Sequence, residues 1–281
     1  MQPQARLRAS FELPAALGCW MKQRMNALPR IFTVCFVLKA AMLLIPARGA
    51  ETPSRYEQPK LLTGTIYAMN SDQKRVLYKF KRTVSRSGNT VKAVREFFDP
   101  EGQLAARESA VYEGDNLVSY ELDELQIKAR GSVKLSRGPK TAATIAFQYV
   151  SDNNTKTNVS TESLRPGTLI NDMIAPFLVA HWDELMKGKD VKCRYIAAAR
   201  AETVGFKFAK QSESRLNGKP AVIIKMSASS FIIAALVDPL YFTVERDGEH
   251  RVLQYNGRTT PKLKDGNKWK DLDAVTVFNW N

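Results

Sequence analysis

This 281-residue sequence has few histidines and cysteines, and it lacks the common glycine-rich functional motifs. It contains two histidines, His181 and His250, and three cysteines. Its 15 glycines never form GxGxxG, GxxxxGK or GxSxG, the motifs of dinucleotide sites, P-loops and serine nucleophile elbows. The segment His181–Leu185 also lacks the second histidine of a HExxH zinc pair. The sequence therefore predicts no cofactor and no metal site, and it does not favour an enzyme.

Acidic residues are outnumbered by basic ones, 28 to 42, which gives a formal net charge of +14. An excess of this sign favours anionic partners, such as phospholipid or lipopolysaccharide head groups and acidic wall polymers. The basic residues are scattered singly, as on a solvated surface. Nucleic acid is not expected as a partner because the chain is predicted to be exported, and the sequence identifies no protein partner.

Long apolar runs are confined to the N-terminal part of the chain. Residues 21–50 combine a basic front, an apolar stretch over Ile31–Ile45 and the small residues of Ala47–Ala50, the layout of a secretory signal peptide. A retained membrane anchor is the alternative, but the run is shorter than the ~20 residues that a spanning helix needs. We expect residues 1–20 to be an upstream extension, and export to end in the periplasm or outside the cell.

The part after the signal peptide is predicted to be a linker over residues 51–60 followed by one β-rich domain over 61–281. Cleavage leaves Cys193 as its one cysteine, so no internal disulfide is expected. From Leu61 to Val150, strand-length segments alternate with turn sequences such as Asp99–Gly102. Connections this short join antiparallel strands, because parallel pairs need long crossovers.

The fold class predicted from this pattern is mainly β (α+β). We expect a curved antiparallel sheet or half barrel of roughly ten or more strands with one substantial mid-chain helix. In the segment Leu77–Lys81, Tyr78 and Phe80 alternate with Lys79 and Lys81, which is typical of a strand with one buried face.

The helix is predicted within residues 170–187, where apolar residues recur at three- and four-residue spacing. Asn171 or Asp172 is expected to cap its start, Pro176 must fall in its first turn, and Gly188 ends it. Further strands are expected after the helix, among them Phe231–Val237. Residues 151–161 are predicted to be a polar loop, and Asn217-Gly218 and Asp247-Gly248 to be hairpin turns.

A ligand site is predicted where aromatic residues of the helix and of the apolar strands meet inside the curve of the sheet. The stretch Ser227–Phe242 is weakly charged, and it either fills an ordinary core or lines an apolar cavity. The expected ligand contacts are Phe177, Trp182, Phe231, Tyr241 and Phe242.

The signal peptide, the mid-chain helix and the late hairpin over Phe242–Leu253 together resemble a known architecture. The chain is similar to exported bacterial proteins of unknown function that share the lipoprotein-carrier (Lol-type) half barrel. The resemblance implies a strongly curved antiparallel sheet, closed by helix, that binds an amphiphile without catalysis.

Three functions stay open on the sequence. The first is an exported envelope protein that binds an amphiphilic or apolar, lipid-like ligand. The second is a structural or assembly module of the cell envelope with a protein partner. The third is a hydrolase, which would require His181 or His250 within hydrogen-bond reach of a Ser, Asp or Glu in a cleft.

Overall fold

A computed structural model describes residues 53–138, 142–151, 155–234 and 237–280. The predicted upstream extension (1–20), the predicted signal peptide (21–50) and the first residues of the predicted linker lie outside these ranges. Within them, no helix is both long enough and apolar enough to cross a membrane.

Fifteen β-strands account for most of the described chain. They are β1 Leu61–Ala68, β2 Val76–Ser87, β3 Thr90–Phe98, β4 Leu104–Glu113, β5 Asn116–Glu124, β6 Ala129–Ser136, β7 Thr144–Ser151, β8 Lys156–Ser163, β9 Thr168–Leu169, β10 Val191–Ala197, β11 Glu202–Leu216, β12 Lys219–Ala228, β13 Leu240–Glu245, β14 Val252–Asp265 and β15 Lys268–Asn279. The predicted mainly β fold is confirmed.

All fifteen strands belong to one curved sheet that does not close. The strand order is β8-β7-β6-β5-β4-β3-β2-β1-β15-β14-β13-β12-β11-β10-β9. Consecutive strands pair antiparallel from β1 to β8 and from β10 to β15, β9 pairs parallel with β10, and the first strand pairs antiparallel with the last. The meander is therefore joined at β1 and β15, and it is open between β8 and β9.

Side chains bridge the open side of the sheet where strand pairing does not. Glu162 on β8 accepts a hydrogen bond from the backbone N–H of Thr203 on β11 at 3.0 Å. Asn158 Nδ2 donates to the carbonyl of Arg200 at 3.3 Å, and the hydroxyl of Ser160 donates to the carbonyl of Ala201. The edge strand β8 is thus tied to the start of β11.

The alternation read in β2 is confirmed, because Tyr78 and Phe80 are buried and Lys79 and Lys81 are exposed. In β5 the alternation is interrupted. Val111 pairs with Ser119 and Tyr112 with Leu117, so a bulge absorbs the intervening residue of β5. Bulges re-aim the side chains that follow them, and Leu117 accordingly joins the buried face.

The predicted mid-chain helix is present but interrupted. A 3-10 turn at Asn171–Met173 continues into α1, Ile174–Ala180, and after His181 a short helix α2 follows, Trp182–Met186. Pro176 lies in the first turn of α1, where its missing N–H costs nothing. The buried stripe is Ile174, Leu178 and Leu185, which packs on the side chains of β10 to β14.

Three local predictions were wrong. Neither Asn171 nor Asp172 caps the helix, because the 3-10 turn and α1 both lack a side-chain cap, and the Asp172 carboxylate binds Arg82 of the sheet. Ser230 is followed by a single helical turn, α3 at Phe231–Ala234, where a strand was expected. Much of the expected polar loop at 151–161 is β8, a polar edge strand that needs a hydrogen-bonding neighbour on one side only.

Cys193 is a free, buried cysteine on β10. Burial raises the pKa of its thiol to about 12. Cys193 is therefore a small apolar core residue.

Candidate functional site

A concavity of about 740 Å³ lies between the helical segment and the sheet and is partly open to solvent. We call it the sheet–helix concavity. Its volume falls in the range of roughly 300–1,000 Å³ that small-molecule sites occupy. It is lined by residues of the segment before β1, of β1 to β3, of the β4–β5 turn, of the 3-10 turn and α1, of β13, the β13–β14 connection and the start of β14, and of β15 and Trp280.

The walls of the concavity are largely apolar. Leu62 of β1, Ile174 and Val179 of α1, Phe242 of β13, Phe278 of β15 and the following Trp280 all line it. The Phe278 ring meets Phe80 edge to face at 5.5 Å. Val179 is a large apolar side chain that is 44% exposed although it belongs to the helix that covers the sheet. The helix therefore leaves apolar surface uncovered at the mouth of the concavity.

Four ionisable side chains form a buried cluster at the inner end of the concavity. We call it the charge cluster, and its members are Arg82 of β2, Arg95 of β3, Glu108 of β4 and Asp172 of the 3-10 turn. Arg82, Arg95 and Asp172 line the concavity directly.

Arg82 and Asp172 form the centre of the cluster, with side chains only 5% and 9% exposed. Arg82 Nε and Nη2 donate to the two Asp172 oxygens at 2.5 and 3.0 Å. The remaining Arg82 donors reach the carbonyls of Pro59 and Tyr56 at 2.8 and 2.9 Å, and the Tyr112 hydroxyl donates to Asp172 Oδ2 at 2.9 Å. The pair thus fastens the segment before β1 and the helix to the sheet.

The pKa of Asp172 reflects this arrangement. Burial opposes ionisation, but the charge and hydrogen bonds of Arg82, with smaller contributions from Arg95 and Tyr112, outweigh it and hold the pKa of Asp172 below its ordinary value. Burial alone would lower the pKa of Arg82, but the charge and the hydrogen bonds of Asp172 outweigh it, so the pKa of Arg82 is raised above its ordinary value. Asp172 is therefore an ionised carboxylate whose two oxygens are already engaged.

Arg95 is held much more loosely than Arg82. Its Nη2 is 3.5 Å from Asp172 Oδ1 and its Nη1 is 3.7 Å from Glu108 Oε2. Its Nε is buried without a hydrogen-bond partner, and its side chain is 12% exposed. The guanidinium carbon lies 5.5 Å from the centre of the Phe80 ring. Arg95 therefore has unused donor capacity inside an apolar surrounding.

Glu108 is the second carboxyl of the cluster. Burial raises the pKa of Glu108, and this exceeds the opposing effects of Arg95 and of the hydrogen bond from the Thr260 hydroxyl. The contact of 3.7 Å between Arg95 and Glu108 is an ion pair without a hydrogen bond.

The mouth of the concavity carries exposed ion pairs. Arg55 binds Asp115 at 2.8 Å, and Arg251 binds Glu249 at 2.6 Å. The Arg251 guanidinium also lies 5.6 Å from the ring centre of Trp280. These pairs make the mouth polar, while the walls behind it are apolar.

The structure separates the predicted ligand contacts. Phe242 lines the concavity. Trp182 does not line the concavity, but its ring stacks on the ring of His250 at a centroid distance of 4.1 Å, and His250 is a lining residue. Phe177 packs against Phe208 at 5.6 Å, outside the lining. Tyr241 follows the opposite parity to Phe242 on β13 and also stays outside it, and the side chain of Phe231 lies outside the described part of the structure.

Neither histidine is paired with a serine in the part of the chain that the structure describes. His181 Nδ1 is buried without a hydrogen bond, and Glu184 Oε1 lies 3.5 Å away. His250 Nδ1 is 3.3 Å from the carbonyl oxygen of Glu245. Across the described ranges, no group of three His, Cys, Asp or Glu residues is placed to hold a metal ion.

Sequence reasoning missed the charge cluster, although its signal is present in the strands. Arg82 has the parity of the buried Tyr78 and Phe80 on β2. Glu108 has the parity of the buried Ala106 and Ala110 on β4, and Arg95 follows the same rule between Ala93 and Phe97 on β3. Charged residues at inward-facing strand positions are rare unless they are paired. Three of them on neighbouring strands predict a buried polar site.

Comparison with known proteins adds little to this geometry. No family model matches the sequence. No curated protein matches it either. Among solved structures, the chain is similar to a β-barrel-like protein of a domain of unknown function, DUF1849, from Brucella abortus, with 8% identity and a TM-score of 0.34 over 78% of this chain and 92% of that chain.

Proposed function

We propose that this protein binds an amphiphilic or apolar, lipid-like ligand in the sheet–helix concavity and does not transform it. The observation that carries the proposal is the concavity itself, about 740 Å³ with apolar walls and a few convergent polar groups. Ligand sites have this composition, because apolar walls supply affinity and a small number of polar groups supply orientation.

The exposed apolar surface at the mouth supports the same function. Val179 is 44% exposed while it faces the concavity, and the neighbouring Ala180 leaves further room because its side chain is small. An apolar ligand that covered this surface would remove it from water, which is favourable by about 25 cal/mol per Å² of apolar area. Binding is expected to follow export, which remains a prediction from residues 21–50.

A pair of matched variants tests the proposal. Val179→Trp places an indole in the concavity, whereas Val159→Trp places the same ring on β8, where the valine is 68% exposed and outside the lining. Decanol, an uncharged alkyl probe, is titrated into the full chain by calorimetry. We expect wild type and Val159→Trp to bind it equally and Val179→Trp to bind it at least about ten-fold more weakly, a loss of roughly 1.4 kcal/mol.

Two outcomes would contradict this function. If no alkyl compound, charged or uncharged, binds to the wild-type chain, the concavity is not a ligand site. If Val159→Trp weakens decanol binding as much as Val179→Trp does, the probe binds elsewhere on the sheet.

A further inference from the structure

Arg82 and Arg95 differ in what their guanidinium groups already bind. Arg82 uses Nε, Nη1 and Nη2 in hydrogen bonds of 2.5 to 3.0 Å to Asp172, Pro59 and Tyr56. Arg95 donates one long hydrogen bond, from Nη2 to Asp172 Oδ1 at 3.5 Å, and its Nη1 lies 3.7 Å from Glu108, while its buried Nε has no partner. A buried donor without an acceptor is unfavourable, so Arg95 is the group in the concavity that still requires an acceptor.

The carboxyl groups around Arg95 cannot meet this requirement in the observed arrangement. Both oxygens of Asp172 accept from Arg82, and Oδ2 also accepts from Tyr112. Arg95 reaches Oδ1 only through its terminal Nη2, at 3.5 Å. Glu108 lies at the longer distance and binds the Thr260 hydroxyl. At 3.7 Å the contact between Arg95 and Glu108 is too long for a hydrogen bond.

The surroundings of Arg95 select the chemistry of the acceptor. A guanidinium presents a planar fork that fits the two oxygens of a carboxylate or phosphate. The guanidinium lies over the Phe80 ring, and the concavity that Arg95 lines has apolar walls that include Leu62 and Phe242. The polar end is buried, while the apolar wall continues to the exposed Val179 at the mouth.

We infer that the ligand is an anionic amphiphile, whose carboxylate or phosphate head pairs with Arg95 while its alkyl chain lies along the apolar walls toward Val179. This inference rests on the proposed function, and it adds the sign of the head group, its partner and the orientation of the chain. The exposed Arg55 and Arg251 at the mouth already have carboxylate partners, and they are not the head-group site.

The test compares compounds that carry different head groups on the same alkyl chain. Decanoate, decyl phosphate and decanol are titrated into the full wild-type chain by calorimetry, with acetate and inorganic phosphate as anions without a tail. Charge-assisted hydrogen bonds are the strong class, so we expect decanoate or decyl phosphate to bind at least about ten-fold more tightly than decanol. Acetate and inorganic phosphate should give no measurable binding.

Substitution of Arg95 tests whether the anionic head group of the ligand binds to this residue. Arg95→Gln should reduce the affinity for the anionic probes to that for decanol and leave the decanol affinity within about two-fold of wild type. Arg251→Gln, which removes a guanidinium at the mouth, should keep the full preference for the anions. Arg95→Lys retains the charge without the fork and should show an intermediate preference. Thermal unfolding of each variant checks that it is folded.

Each contrary result has its own meaning. Equal affinity of wild type for decanoate, decyl phosphate and decanol would overturn the inference and leave the proposed function standing. Loss of the preference in Arg251→Gln, but not in Arg95→Gln or Arg95→Lys, would place the head at the mouth and also overturn it. Tight binding of inorganic phosphate would identify a site for a free anion. Failure of every alkyl probe would instead refute the proposed function.

Discussion

The buried pair of Arg82 and Asp172 gives a quantitative prediction about stability. Asp172→Asn keeps the size of the side chain but removes the charge that compensates Arg82. Both side chains are almost fully buried, and Arg82 binds both Asp172 oxygens. The substitution therefore leaves a buried guanidinium without its counter-ion.

The magnitude follows from measured cases of this kind. Breaking a buried ion pair by removing one partner costs about 3–5 kcal/mol, a large share of the roughly 5–15 kcal/mol that stabilises a domain. For a domain of this size the midpoint of thermal unfolding falls by about 2–4 °C per kcal/mol, so we expect a decrease of roughly 6–20 °C. Glu121→Gln breaks an exposed pair with Arg130 and should cost about 0–1 kcal/mol.

The assay is thermal and urea unfolding of wild type and both variants, followed by circular dichroism. Because the pKa of Asp172 is lowered in the folded state, the stability that it contributes is present above the unfolded value of 3.8 and is lost as pH falls through the folded pKa. The difference between wild type and Asp172→Asn should thus be constant above pH 3.8 and shrink below it. A cost for Asp172→Asn no larger than that for Glu121→Gln would refute the structural role given to the pair.

Two further predictions concern other parts of the sheet. Gly64→Ala places a Cβ against the Phe80 ring and 2.6 Å from the carbonyl oxygen of Val277, so it should destabilise the protein by about 1–3 kcal/mol in the same unfolding assay. Gly205→Ala meets only ordinary contacts and should be nearly neutral. Equal effects of the two substitutions on the free energy of unfolding would contradict this prediction. Because burial raises the pKa of Glu108, wild type should lose stability relative to Glu108→Gln as pH rises from the unfolded value of 4.5 through the folded pKa. A difference between these two proteins that stays constant across that pH interval would show that the carboxyl is not perturbed.

The strand pattern was accessible to sequence analysis because it is local. Alternation in β2 fixes which residues face inward, and Asn217-Gly218 supplies the two positive φ angles, 50° and 80°, that the turn between β11 and β12 requires. The helix was placed correctly within residues 170–187, but its interruption at His181 was not foreseen. The edge strand β8 was missed because its polar composition is that of a loop.

The site was only partly accessible, because it depends on contacts between distant parts of the chain. Asp172 looked like a helix cap from its neighbours alone, yet its partner Arg82 is 90 residues away in sequence. Phe177 and Trp182 lie on the helices and Tyr241 and Phe242 on a strand, whereas Phe231 belongs to α3 and not to the expected strand. Local patterns cannot show which aromatic residues face a concavity. Of the residues proposed, Phe242 lines it, while Phe177 helps to fill the core beneath the helix.

The proposed ligand site is tested most directly by mass spectrometry of the small molecules that the full chain retains during purification. Protein purified without detergent is extracted with organic solvent, and wild type is compared with Val179→Trp at equal concentration. We expect wild type to release an alkyl-chain compound in an amount comparable to the protein, and Val179→Trp to release much less. Equal traces from both proteins would contradict the assignment of the sheet–helix concavity as a ligand site.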